Sequence, residues 1–225
     1  MNALALELCR DIARNGPMTF ARFMEMALYA PALGYYEQPR RIGRHGDFYT
    51  SVSTGSLFGE LLAFQFSEWL DAECSGGPCQ LVEAGAHDGR LAVDILEWVS
   101  RFRSDLLGRL RYCILESSPV RRGWQEKTLH AHKARVRWAR DVHEFGEDEV
   151  NGIIFSNEFL DALPVHRLAW DAANRRWQEW QVTGGAHGLA WHLGMPAVAL
   201  LLPAVGPELA GLLPEGFVAE VSPVA

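Results

Sequence analysis

The chain has 225 residues, of which 48% are hydrophobic, 22% charged and 11% aromatic. This composition is typical of a globular protein with a sizeable core and excludes a disordered or fibrous chain. With 21 Lys and Arg against 28 Asp and Glu, the net charge is −7, which argues against a nucleic-acid partner or an anionic membrane surface.

The four cysteines do not form a disulfide framework, and no Cys or His spacing predicts a metal site. The N-terminal segment carries acids and lacks the basic region of a signal peptide. The longest apolar run, Ala197 to Leu202, is far shorter than the roughly 20 residues that span a bilayer. We therefore expect a soluble cytoplasmic protein with no membrane insertion and no metal.

Residues 1–75 are predicted to form a helical region. Apolar residues at i,i+4 predict a helix over residues 1–14, Thr19 is suited to cap a second, and a third begins at Thr54. Residues 31–54 show no periodicity, so they predict a long loop of the kind that is often functional.

Over residues 76–164 short apolar strands alternate with helices. The strands are predicted at Gln80–Glu83, Arg111–Glu116, Arg135–Arg140 and Gly152–Ser156. A helix opens at Ser118 and Pro119 and is expected to reach about His132. This alternation predicts a parallel sheet with crossover helices.

After Pro164 the apolar residues recur with period two. Three segments predict an antiparallel insertion over residues 165–195, namely Val165–Trp170, Trp177–Val182 and Leu189–His192. Residues 196–225 are expected to return toward the core.

The first predicted strand ends in an acid that glycines follow. Glu83, Gly85 and Gly89 stand at acid-x-Gly-x-x-x-Gly spacing, which differs from the dinucleotide fingerprint. This spacing suits a ligand without pyrophosphate whose amino group pairs with Glu83, and S-adenosylmethionine is such a ligand. An ordinary strand–helix turn is the alternative.

Two further acids end the next strands. Glu116 is suited to accept both ribose hydroxyls, and Asp141 is suited to accept from an adenine amino group. Because the carboxyl ends of parallel strands share one edge of the sheet, the three acids are expected to converge there. Solvated strand-end carboxylates are the alternative for each.

Polar residues also follow the fourth strand. Glu158 and Asp161, after Asn157, are suited to hold a cationic nucleophile and accept its proton, or else to cap the following turn. In the long loop, Gly46 is suited to be the hinge of a lid in which Asp47 or Thr50 touches the ligand, with a plain surface loop as the alternative.

Four segments together resemble the MidA-type S-adenosylmethionine-dependent methyltransferases. They are Gly46-Asp-Phe-Tyr-Thr-Ser51, Val82-Glu-Ala-Gly85 with Gly89-Arg-Leu91, Leu115-Glu-Ser-Ser-Pro119 with Gln125, and Asn157-Glu-Phe-Leu-Asp-Ala-Leu-Pro164. The resemblance covers residues 17–225. One departure is His87, which stands where the family loop usually has glycine.

The resemblance implies an α/β fold, namely the Rossmann-like class I methyltransferase sheet with an N-terminal helical lid and an antiparallel insertion. Strands five to seven of that fold are missing, so the sheet is expected to be incomplete at the C-terminus and the chain to be part of a longer one. The expected catalytic residues are Asp47, Glu158 and Asp161. The expected contacts to S-adenosylmethionine are Gly46, Phe48, Thr50, Glu83, Gly85, His87, Gly89, Glu116, Ser117, Asp141, Val142 and Asn157.

The function expected from this resemblance is N-methylation of arginine in a protein substrate, such as a respiratory-complex subunit. Methylation of a small molecule by the same fold is one alternative. A non-catalytic assembly factor that keeps the fold is another, and a homodimer is an expected assembly.

Overall fold

The structure is a computed structural model that describes residues 2–38, 50–145, 150–185, 188–197 and 206–222. The chain divides into two compact units, one formed by Met1–Gln38 with Leu160–Ala225 and the other by Pro39–Phe159. The predicted lid residues Gly46, Asp47 and Phe48 lie outside the described residues. The four-part division expected from the sequence stays a prediction.

The helices and strands are numbered in chain order. The α-helices are α1 (Ala3–Asn15), α2 (Phe20–Tyr29), α3 (Leu57–Cys74), α4 (Arg90–Phe102), α5 (Ser104–Arg109), α6 (Pro119–Thr128) and α7 (Pro207–Ala210). The strands are β1 (Met18–Thr19), β2 (Cys79–Ala84), β3 (Leu110–Leu115), β4 (Val136–Ala139), β5 (Gly152–Ser156), β6 (His166–Asp171), β7 (Arg176–Gly185), β8 (Gly188–Gly194) and β9 (Val218–Val221).

The unit Pro39–Phe159 contains a parallel sheet in the strand order β4-β3-β2-β5. Its strands are short apolar runs, and α3 and α4 bury their apolar faces in the same core. The most buried of these side chains are Leu70, Leu81, Ile95, Leu96 and Ile114. The parallel sheet with crossover helices predicted from the sequence is confirmed.

The strand register aligns the carboxyl ends of this sheet. Ala84 pairs with Leu115 on one side and with Ser156 on the other, while Leu115 also pairs with Ala139. Each of the four is the last residue of its strand. The loops that follow β2, β3, β4 and β5 therefore begin in one row along a single edge, which we call the carboxyl edge.

The unit formed by Met1–Gln38 and Leu160–Ala225 contains an antiparallel sheet in the order β1-β7-β6-β9, with β8 paired to β7. The amphipathic helices α1 and α2 pack with it around Leu8, Ile12, Met18, Met26 and Val182. The β6–β7–β8 meander is the antiparallel insertion predicted from the sequence, and the α/β fold class is confirmed. None of the helices in the described residues is long and apolar enough to cross a bilayer.

Candidate functional site

The loop between β2 and α4 has a backbone that favours glycine. Gly85, His87 and Gly89 have φ values of 78°, 46° and 86°. A Cβ on Gly85 would stand 2.5 Å from the Phe159 ring, so glycine is needed there for space as well as for conformation. His87 adopts the left-handed conformation with a full side chain, at a cost of about 1 kcal/mol.

Glu83 is buried one residue before the end of β2. Its Oε2 accepts a hydrogen bond of 2.7 Å from the Tyr112 hydroxyl on β3. Burial is the main reason that the pKa of Glu83 is raised from 4.5 to about 7; the Tyr112 hydrogen bond opposes this rise, and the nearby Asp88 contributes to it. Within the described residues Oε1 receives no hydrogen bond, so Glu83 is a buried acid with one hydrogen-bonded oxygen.

Glu116, directly after β3, is 5% exposed and accepts four hydrogen bonds. Its Oε1 accepts from the Ser118 amide and from Arg121 Nη2, both at 2.8 Å. Its Oε2 accepts from Arg121 Nε at 2.9 Å and from Gln125 Nε2 at 3.1 Å. The carboxylate is therefore fully engaged by the N-cap and two side chains of the following helix, α6, which sequence reasoning did not predict.

Gln125 is a buried residue that the predictions missed and that contacts the candidate site. It is fully buried, and its Nε2 donates both to Glu116 and to the His87 carbonyl, the latter at 2.9 Å. Its Oε1 accepts from the Trp138 indole on β4 at 2.9 Å. Gln125 thus connects the glycine loop, Glu116 and β4. The one sequence signal for it was its place in the segment that resembles the family.

The predicted residues after β4 and β5 also follow the carboxyl edge. Asp141 is exposed, and its side chain accepts from the His143 amide at 2.8 Å, which caps a short 3-10 helix. Val142 is exposed and Asn157 half-buried. Ser117, after β3, is exposed. The structure places these residues at the edge, and their cofactor contacts stay predictions.

The predicted catalytic residues lie in different units. Glu158 is exposed and has a φ of 48°, a left-handed conformation that is uncommon for a non-glycine residue. Asp161 is exposed in the 3-10 helix Leu160–Ala162 of the other unit. Thr50 exchanges hydrogen bonds with Ser53 at 3.0 and 3.2 Å in a local turn. Their roles stay predictions.

Residues 61–225 match a family model described as "Putative S-adenosyl-L-methionine-dependent methyltransferase". The chain belongs to this family. The resemblance stated from the sequence is therefore confirmed, as is S-adenosylmethionine as the cofactor of the family.

Two curated relatives of this methyltransferase family illustrate the similarity. The mitochondrial protein arginine methyltransferase NDUFAF7 of Mus musculus is 33% identical over 194 residues, which cover 76% of this chain and 43% of the relative. The mitochondrial NDUFAF7 homolog of Drosophila melanogaster, also named a protein arginine methyltransferase, is 31% identical over 200 residues, which cover 79% and 44%. The chain thus spans less than half the length of these relatives.

Two solved structures are also similar to this chain in sequence and fold. A Burkholderia thailandensis protein with S-adenosyl-homocysteine bound is 34% identical with a TM-score of 0.74, over 97% of this chain and 55% of the other. A second structure from the same organism, without a described function, is 33% identical with a TM-score of 0.72 and covers 98% and 55%.

One prediction from the sequence is wrong. A cytoplasmic location was inferred from the absence of a recognisable leader, but the curated relatives are named as mitochondrial proteins. Composition and an N-terminal pattern were too weak a basis for assigning a compartment.

Proposed function

We propose that this chain binds S-adenosylmethionine at the carboxyl edge of its parallel sheet and methylates an arginine nitrogen of a protein substrate. The buried Glu83 carboxylate carries the proposal. An acid in an apolar core is costly unless a cation pairs with it, and the amino group of the cofactor's methionine is such a cation. Gly85 beside it lets the Phe159 ring lie close against the backbone of the loop.

When bound, the cofactor supplies an electrophilic methyl group on a sulfonium. The residues of the chain then bind and orient the two reactants, since alignment of nucleophile and methyl group accounts for much of the rate. Glu83 holds the ammonium, and Glu116 is the proposed partner of the ribose. Glu158, after β5, is the proposed acceptor of the proton that the guanidinium loses.

Two observations support a protein arginine as the acceptor. The curated relatives named above are protein arginine methyltransferases. The net charge of −7 also suits a cationic substrate. A respiratory-complex subunit as the target, and a homodimer as the assembly, remain finer expectations of the same proposal.

Cofactor binding is tested by isothermal titration of the 225-residue chain with S-adenosyl-homocysteine. We expect saturable binding by the wild type and by Glu97→Gln, which removes an exposed carboxylate of α4. Glu83→Gln should bind at least about tenfold more weakly, because it loses a charge-assisted hydrogen bond. Equal binding by wild type and Glu83→Gln would overturn the assignment of Glu83.

Catalysis is tested by mass spectrometry of arginine-rich peptides incubated with S-adenosylmethionine. We expect methylarginine with the wild type and a loss of about a hundredfold or more in rate with Glu158→Gln. The control is Glu126→Gln, an exposed carboxylate of α6. Binding without methylation of any peptide or small amine would instead support the scaffold alternative.

A further inference from the structure

The hydrogen bonds of Glu116 leave no room for another donor. An ionised carboxylate offers about four acceptor positions. All four are used here, by the Ser118 amide, the Gln125 amide and two N–H groups of Arg121. A ribose that binds Glu116 must therefore replace one or two of these donors.

The four donors differ in how easily they can leave. The Ser118 amide belongs to the main chain at the N-terminus of α6. Gln125 is fully buried, and its three hydrogen bonds fix both ends of its amide. Arg121 reaches Glu116 through a long side chain that is 13% exposed, so rotation about its own bonds can withdraw the guanidinium.

Arg121 donates to Glu116 with the same two-point geometry that the neighbouring hydroxyls of a ribose would use. Its Nε and Nη2 donate in parallel to the two carboxylate oxygens, at 2.9 and 2.8 Å. The two hydroxyls of a ribose would also donate in parallel, one to each oxygen. The guanidinium therefore occupies the same two acceptor positions that the sugar needs.

We propose that Arg121 competes with the cofactor's ribose for Glu116 and must swing away before the nucleoside can bind. This inference rests on the proposed function and adds a residue that sets the affinity for the cofactor. In the free protein, Arg121 pairs with a carboxylate that would otherwise be buried without a counter-charge. Breaking this ion pair lowers the affinity for any ligand that carries the ribose.

The test is isothermal titration with S-adenosyl-homocysteine on three forms of the chain. Arg121→Met keeps an unbranched side chain but removes the charge and the donors. Arg122→Met is the matched control, because Arg122 is the next residue of α6 and donates to the Trp138 carbonyl at 3.3 Å rather than to Glu116. We expect Arg121→Met to bind at least about tenfold more tightly than wild type and Arg122→Met to bind equally.

Two other results of this titration would contradict the competition. If Arg121→Met binds with the affinity of wild type or more weakly, the competition is refuted while the proposed function stands. If neither wild type nor Arg121→Met binds the ligand, both the proposed function and this inference fail. Tight binding by Arg121→Met alone would support the competition most strongly.

A structural readout on the wild type removes any dependence on how the variant folds. In a crystal structure of the chain with S-adenosyl-homocysteine, we expect both N–H groups of Arg121 to be withdrawn from Glu116 and the ribose hydroxyls to occupy their positions. A guanidinium that stays bidentate on Glu116 beside bound nucleoside would overturn the inference.

Discussion

Replacing Glu83 by Gln should stabilise the ligand-free protein above neutral pH. Burial raises the pKa of Glu83 to about 7 from an ordinary 4.5. Between these values the unfolded chain has lost a proton that the folded chain keeps, so stability falls as pH rises through this window. The shift of about 2.5 units corresponds to about 3 kcal/mol at 1.36 kcal/mol per unit.

Glu83→Gln removes this dependence because a neutral amide does not titrate, while its carbonyl can still accept the hydrogen bond from Tyr112. Above pH 7 the variant should therefore be more stable than wild type by up to about 3 kcal/mol, and the difference should shrink toward pH 5. Urea unfolding from pH 5 to 8, with Glu97→Gln as the exposed control, measures this difference. Parallel stability curves for wild type and Glu83→Gln would refute a raised pKa at this position.

Two predictions concern the backbone of the glycine loop. Gly85→Ala should lower the free energy of unfolding by about 3 kcal/mol or more, because the new Cβ would collide with the Phe159 ring. Gly76→Ala is the control, since Gly76 has nearly the same φ (77° against 78°) but open space around it, and it should lower that free energy by about 1 kcal/mol. Equal losses in urea unfolding would exclude a role for the Phe159 ring. His87→Gly should stabilise the folded protein by up to about 1 kcal/mol, because glycine adopts this left-handed backbone without strain. Ser75→Gly, at a similar φ (45° against 46°), should do the same. Destabilisation by His87→Gly alone would show that contacts of the imidazole outweigh the backbone strain.

Much of the local structure follows from the sequence because its signals act over a few residues. Thr19 and Ser118 cap α2 and α6 as predicted, by accepting from the Arg22 and Arg121 amides. The apolar runs predict the strands of the parallel sheet within a residue or two. Helix ends are less well predicted. The third helix begins at Leu57 after a 3-10 turn, and α6 ends at Thr128, short of the predicted His132.

The sequence also places most of the predicted site residues at the carboxyl edge, because parallel strands bring their following loops together. The pairing of Arg121 with Glu116 and the links that Gln125 makes to His87 and Trp138 depend on side-chain directions that no spacing rule encodes.

The types of helix and strand, and the presence of acids and glycines after the strands, were thus determined by the sequence itself. Tertiary structure decided whether the carboxylate oxygens of those acids are already hydrogen-bonded within the protein. In the part of the chain that the structure describes, Glu83 is confined by the core and one of its oxygens accepts no hydrogen bond, whereas Glu116 is already held by neighbouring donors. The physical reason is that burial and hydrogen-bond saturation arise from groups that meet only after the chain has packed.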